Sequence, residues 1–131
     1  MSSVDTNCLL RWVIGDVPEQ ADAVQRLIDD KHRLAVSDVC LVEAVFAMEH
    51  LYQLGRPQVV LAINAIANES AFQLESSFWS AMLDDYLSHP KLSIVDVYVV
   101  HKARHDQTVP VYTLDRKLAN QMSDTCYLKI T

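Results

Sequence analysis

Glycine is almost missing from this chain: Gly15 and Gly55 are the only two in 131 residues. A phosphate-cradling loop needs several glycines so that backbone amides can approach a phosphate, so nucleotide binding of the P-loop or dinucleotide-fingerprint kind is excluded. Long apolar runs are lacking too. None approaches the roughly 18 residues that span a bilayer, and the N-terminus lacks the basic-then-apolar order of a secretory signal. The expectation is a cytoplasmic protein with no membrane partner. Cysteine occurs three times, as Cys8, Cys40 and Cys126, without C-x-x-C spacing. Each has apolar neighbours, which predicts buried, reduced thiols. Basic residues are outnumbered, 11 Lys and Arg against 17 Asp and Glu, for a net charge of −6. That balance excludes a surface that grips nucleic acid all round, but not a local basic rim. Repeats, low-complexity tracts and linkers are also absent, so residues 1–131 are expected to form one domain. Half the residues are apolar, enough for one core and two covering layers.

The elements that are there alternate. A short strand at residues 3–5 leads into a helical turn over 7–13. Pro18 suits the first turn of a helix running through Ala21, Val24, Leu27 and Ile28. Residues 33–36 read as a second strand. Ser37 or Asp38 caps the next helix, which carries Glu43 and ends near Gly55, and Pro57 opens another through Asn68. Residues 72–74 form a third strand, and 76–87 a helix broken by His89-Pro90. A helix from 93 to about 105 carries Asp96, followed by a strand at 109–113, a helix at 115–122 and a last strand at 126–130. This alternation predicts an α/β fold: three layers, α/β/α, on a mainly parallel central sheet of four to five short, apolar strands.

Four carboxylates stand in apolar sequence. Asp5 heads Asp5-Thr6-Asn7-Cys8-Leu9-Leu10, Glu43 interrupts residues 41–48, Asp96 interrupts 94–100 and Asp115 closes 109–115. An ionised carboxylate in an apolar setting costs several kcal/mol unless it is paired or coordinates a metal. Four of them suggest a shared cation. In open α/β sheets ligands bind outside the carboxyl ends of the strands. Asp5 and Asp115 directly follow strands, Asp96 is near a helix start and Glu43 lies one to two turns into a helix, so all four are expected to converge on that edge.

Simpler readings compete. Asp5 is also a favoured helix N-cap, and Asp115-Arg116-Lys117 also reads as an ordinary helix start. A solvated position for Glu43 is disfavoured, because Val39, Val42, Phe46 and Ala47 around it are apolar. His101 and His105 have a metal-like spacing, but no glutamate follows the first of them and the stretch is charged, so they read as a solvated helix face. Trp12, Phe46, Tyr52, Phe72, Phe78 and Trp79 recur at core spacings rather than as a base-stacking platform. The apolar surplus of the two helices between Asp38 and Asn68 predicts a dimer or partner contact.

In its motifs the chain resembles the PIN-domain ribonucleases, in particular the VapC-like toxins of bacterial toxin–antitoxin pairs. The matching segments are Val4-Asp5-Thr6-Asn7, Val42-Glu43-Ala44-Val45, Asp96 with the apolar helix after it, and Thr113-Leu114-Asp115-Arg116-Lys117-Leu118-Ala119. They run nearly end to end, in order. One departure is Lys117, where many members carry a second acid. The resemblance implies a metal-dependent endoribonuclease that leaves a 5′-phosphate and a 3′-hydroxyl, with Asp5, Glu43, Asp96 and Asp115 as catalytic, metal-holding acids. It implies Mg²⁺ or Mn²⁺ as cofactor, and Asn7 and Thr113 as polar helpers that fix carboxylate rotamers or hold water. Arg11, Arg116 and Lys117 are the candidate RNA contacts. RNA substrate, an antitoxin and a second copy of the chain are the expected partners. The rival expectation is a catalytically silent PIN domain that binds RNA or acts as a scaffold. A phospho-accepting receiver ranks below both, since Asp5 lacks the neighbouring acid that such a site needs.

Overall fold

The computed structural model describes residues 1–130. The chain divides into two compact units, Met1–Trp79 and Ser80–Thr131. In the first, pairs of helices separate three short strands: β1 (Ser2–Ser3), α1 (Thr6–Ile14), α2 (Pro18–Lys31), β2 (Leu34–Ala35), α3 (Asp38–His50), α4 (Arg56–Asn68) and β3 (Phe72–Gln73). The division falls inside α5 (Ser76–Ser88), and the second unit continues through α6 (Ile94–His105), β4 (Val111–Thr113), α7 (Arg116–Gln121) and β5 (Thr125–Tyr127).

The fold is α/β with parallel strands, as expected. The described strands pair in two sets rather than in one ladder of four or five: β1-β2-β3 in the first unit and β4-β5 in the second, all parallel. They are also shorter and less apolar than the sequence suggested, β1 being two exposed serines. The apolar part lies one residue further on. Val4 N–H donates to Ala35 O and Val36 N–H to Gln73 O, and both valines are buried.

Helix starts follow local chemistry. Ser37 Oγ accepts from Cys40 N to cap α3, and Pro18 and Pro57 sit in the first turns of α2 and α4. Gly15 closes α1 at φ 73°, a left-handed conformation that costs glycine least. One boundary differs: α3 ends at His50, not near Gly55. Gln53 turns left-handed and Leu54 N–H returns to Met48 O, so Gly55 becomes the N-cap of α4.

Leu41, Ala44, Val45 and Met48 form the inner stripe of α3 and are fully buried. Trp79 is buried too, its indole N–H given to Asp38 Oδ1 at 3.0 Å, and Trp12 meets Phe72 edge-on. Three expectations about burial are corrected. Phe46 lies at the surface, stacked on the His50 ring, because it falls on the outer stripe of α3. Cys8 and Cys40 are only half-buried and Cys126 is exposed; all three thiols are free. His101 is not on a solvated face: only 11% of its side chain is exposed, and Nε2 lies 2.6 Å from Asp85 Oδ2 on α5. His105, one turn on, is exposed.

In the second unit α6 opens with a reciprocal cap, in which Ser93 Oγ accepts from Asp96 N and Asp96 Oδ2 accepts from Ser93 N. Ser93→Ala removes one half of that pair. A loss of about 1 kcal/mol in unfolding free energy is expected by urea titration, and an unchanged midpoint would show that the cap contributes nothing.

Candidate active site

Asp5 owes its position to β1. Val4 is held in the ladder, the chain leaves it extended, and Asp5 caps α1 with Oδ1 accepting from Cys8 N at 3.0 Å. Ser37 plays the same part after β2, so α1 and α3 start from the same edge of the parallel strands. Thr6 Oγ1 on α1 donates to Cys40 O on α3 at 3.4 Å and ties the two starts together. Between the helices lies an open cleft of about 380 Å³. Asp5, Asn7 and Leu10 line it from the α1 side, and Cys40, Glu43, Ala47 and Leu51 from the α3 side. A second cleft, of about 440 Å³, shares Asp5 and Cys40 and reaches Ser37. Asp5, Asn7 and Glu43 therefore come together as the sequence suggested.

Their surroundings differ from expectation. No polar or charged residue is buried among the described residues. Asp5 and Glu43 are exposed, and Asp96 and Asp115 half-exposed. The reason is helical periodicity. On α3 the outward positions 39, 43, 46 and 50 recur at spacings of four, three and four, so Glu43 faces solvent although Val39 and Phe46 share its stripe. The carboxylates are not forced into an apolar core, and Asp5 and Glu43 border a cleft open to water.

In the second unit Asp96 is the third residue of the α6 cap, and Asp115 caps α7, with Oδ1 accepting from Lys117 N at 2.9 Å. The capping role weighed for Asp5 and Asp115 is thus real, and it leaves their other carboxylate oxygens for further use. Thr113 Oγ1 accepts from Asp115 N at 2.9 Å, which fixes the backbone that carries the acid. Arg116 lies over the Tyr127 ring at 4.4 Å, and Lys117 is exposed. Arg11 is already engaged within its own unit. Its Nε donates to Gln20, and its Nη1 to Tyr52 Oη and Asp16. The Tyr52 contact and the Asp16 charge push the Arg11 pKa up, against desolvation.

Sequence reasoning passed over Thr6, Cys40 and Leu51. Cys40 and Ala47 lie three residues before and four after Glu43, and that spacing alone would have put them on its side of α3. The Tyr52 contact had no local signal.

The donor set suits a hard divalent cation. Among the described residues no group of three or more His, Cys, Asp or Glu side chains is gathered to cage an ion. Mg²⁺ needs no such cage, since it keeps several waters and is commonly held by one or two carboxylates plus substrate phosphate. Asp5 and Glu43 fit that requirement. The Cys8 thiol, pushed up by burial and by Asp5, is not a competing thiolate.

Backbone donation from Cys8 holds the Asp5 carboxyl below its usual 3.8. A lowered folded-state pKa adds stability that is fully present above the unfolded value and is lost as pH falls through the folded one. NMR titration should therefore place the Asp5 midpoint below 3.8; a midpoint at or above that ordinary value would contradict the cap geometry. Asp5→Asn should melt within about 0.5 kcal/mol of wild type, because Asn caps as well as Asp, whereas Asp5→Ala should lose about 1 kcal/mol.

The chain has no significant match among curated proteins or solved structures. The family model described as PIN domain matches residues 3–121, which takes in segments of both units and all four acids. Members of that family are generally nucleases that use divalent metal ions. With a match over most of its length, this chain belongs to the PIN domain family.

Proposed function

We propose that the protein is a Mg²⁺- or Mn²⁺-dependent endoribonuclease, the VapC-like toxin of a toxin–antitoxin pair. The observation that carries this reading is the shared cleft of Asp5 and Glu43 at the carboxyl ends of parallel strands, in a chain of a nuclease family. Asp5 and Glu43 would hold the ion, and the reading takes Asp96 and Asp115 of the second unit into the same reaction. When bound, the ion lowers the pKa of water and polarises the phosphoryl oxygen. The chain supplies the rest. Asp5, kept ionised by its helix amide, offers a fixed charge, and Asn7 beside it is a polar contact for water or phosphate. Glu43, on its longer side chain, takes the proton from the attacking water. The new oxygen–phosphorus bond forms as the bond to the 3′-oxygen breaks, the leaving 3′-oxygen takes a proton from solvent water at the open cleft, and the products are a 5′-phosphate and a 3′-hydroxyl. Thr113 steadies Asp115, while Arg116 and Lys117 meet RNA phosphates.

Exposed apolar side chains support a protein partner. Leu51 lines the cleft at 79% exposure, and Val39 and Phe46 lie on the outer stripe of α3 with Glu43. An antitoxin that covers this face would both bury them and close the cleft, and Leu61, at 71% exposure on α4, suits the same partner or a second copy of the chain. The described residues contain no helix long and apolar enough to cross a membrane, and a cytoplasmic site of action is part of the same reading.

Incubation of partner-free protein with total RNA tests the proposal. Cleavage should require Mg²⁺ or Mn²⁺ and stop with EDTA. Asp5→Asn and Glu43→Gln should each lower the rate at least about 100-fold, beyond the 10–100-fold cost of changing an outer-shell partner, with unchanged circular dichroism. Binding of RNA without cleavage under any metal would overturn it in favour of a silent RNA-binding domain. Lys117→Gln should reduce the slope of log affinity against log salt by about 0.7, the value of one lost phosphate contact on a single strand.

A further inference from the structure

The gap between α1 and α3 is bracketed at both ends. At the starts of the two helices Thr6 Oγ1 reaches Cys40 O. At their far ends Arg11 Nη1 donates to Tyr52 Oη at 2.6 Å, and both groups meet the same Asp16 carboxylate, Arg11 at 3.0 Å and the Tyr52 hydroxyl at 3.0 Å. Tyr52 comes just after Leu51, the C-cap of α3, and its N–H is bonded back to Ala47 O, so its ring moves with the end of that helix. Asp16 lies just beyond the Gly15 turn that closes α1. Arg11 Nε is steadied in turn by Gln20 Oε1 on α2. The three groups form a closed triangle of charge-assisted bonds with about a third of each charged side chain exposed, 29% for Arg11 and 36% for Asp16. Such bonds are directional and roughly twice as strong as neutral ones.

We infer that Arg11, Asp16 and Tyr52 are a positioning clamp that sets the separation of α1 and α3, and with it the spacing of Asp5 and Glu43 across the cleft. This rests on the reading of that cleft as a metal site. It also reassigns Arg11: a guanidinium with Nε and Nη1 already committed inside the protein is a poor phosphate contact, unlike exposed Lys117. Asp5 caps α1 and Glu43 lies on α3, and among the described residues no group of three or more His, Cys, Asp or Glu side chains is gathered to correct their distance. A shift of one helix against the other is therefore felt directly in metal affinity.

The test uses the full chain, with circular dichroism as the check on folding and Mn²⁺ binding followed by calorimetry. Tyr52→Phe removes a single hydroxyl and keeps every charge. It should weaken Mn²⁺ binding roughly three- to tenfold, less than the 10–100-fold typical of a partner bonded straight to a ligand, and raise the Mn²⁺ needed for half-maximal cleavage in proportion. Arg11→Gln should weaken Mn²⁺ at least as much while the salt slope of RNA binding stays at the wild-type value. Arg11→Lys, which keeps the charge but not the fork, should fall between. Wild-type Mn²⁺ affinity in Tyr52→Phe overturns the clamp, as does a drop of about 0.7 in the salt slope for Arg11→Gln, which marks a phosphate contact. Absence of Mn²⁺ binding by the wild-type chain overturns the metal reading of the cleft itself, and the clamp with it.

Discussion

The first turn of a helix leaves amide donors with no partner inside the helix, and side chains at the strand-to-helix junctions of this chain answer them. Asp5 does so for α1, Ser37 for α3 and Asp115 for α7; Ser93 with Asp96 does the same for α6, which follows a helix and not a strand. A helix that follows a parallel strand must start near the strand's carboxyl end. A carboxylate recruited as a cap therefore stands at the edge where ligands of α/β proteins bind. Capping and ligand binding are not competing explanations of Asp5. The bond to Cys8 takes Oδ1, fixes the side chain and keeps it ionised, which are the properties a cation site requires.

The same logic separates what could be read in the sequence from what could not. Caps and proline-led first turns are local, so every helix start lay within two residues of its expected place. Strand ends were overestimated, because pairing at residues such as Asp5 or Leu74 depends on a neighbour far along the chain. Glu43 was the instructive error. Both stripes of α3 carry apolar side chains, Leu41, Ala44, Val45 and Met48 inward and Val39 and Phe46 outward. Composition around Glu43 cannot distinguish them, and only packing decides which stripe is the inner one. His101 failed for a related reason: its partner Asp85 is 16 residues away on another helix, invisible to any reading of charged neighbours.

Exposure changes the energetic meaning of the acids. Buried carboxylates would oppose folding until a cation arrived, and folding would depend on metal. Carboxylates at an open cleft impose no such debt, so their placement does not make folding depend on a cation. Under the proposed reading, an ion held by so few carboxylates would complete its shell with water and substrate phosphate.

A cleft with few ligands is demanding in another way. Where a cage holds an ion, surplus ligands absorb small errors of position; where two exposed carboxylates on separate helices do so, the helix–helix distance sets the geometry. The two helices lie against each other over an apolar core to which Leu9 and Leu10 of α1 and Leu41 and Ala44 of α3 belong, and that core limits their separation. It does not by itself prevent a small rotation of one helix about the shared core, because apolar contacts have no preferred direction. Directional bonds do. That is the physical reason for polar ties at both ends of the α1–α3 gap, Thr6 with Cys40 beside the acids and Arg11 with Tyr52 at the far ends of the helices.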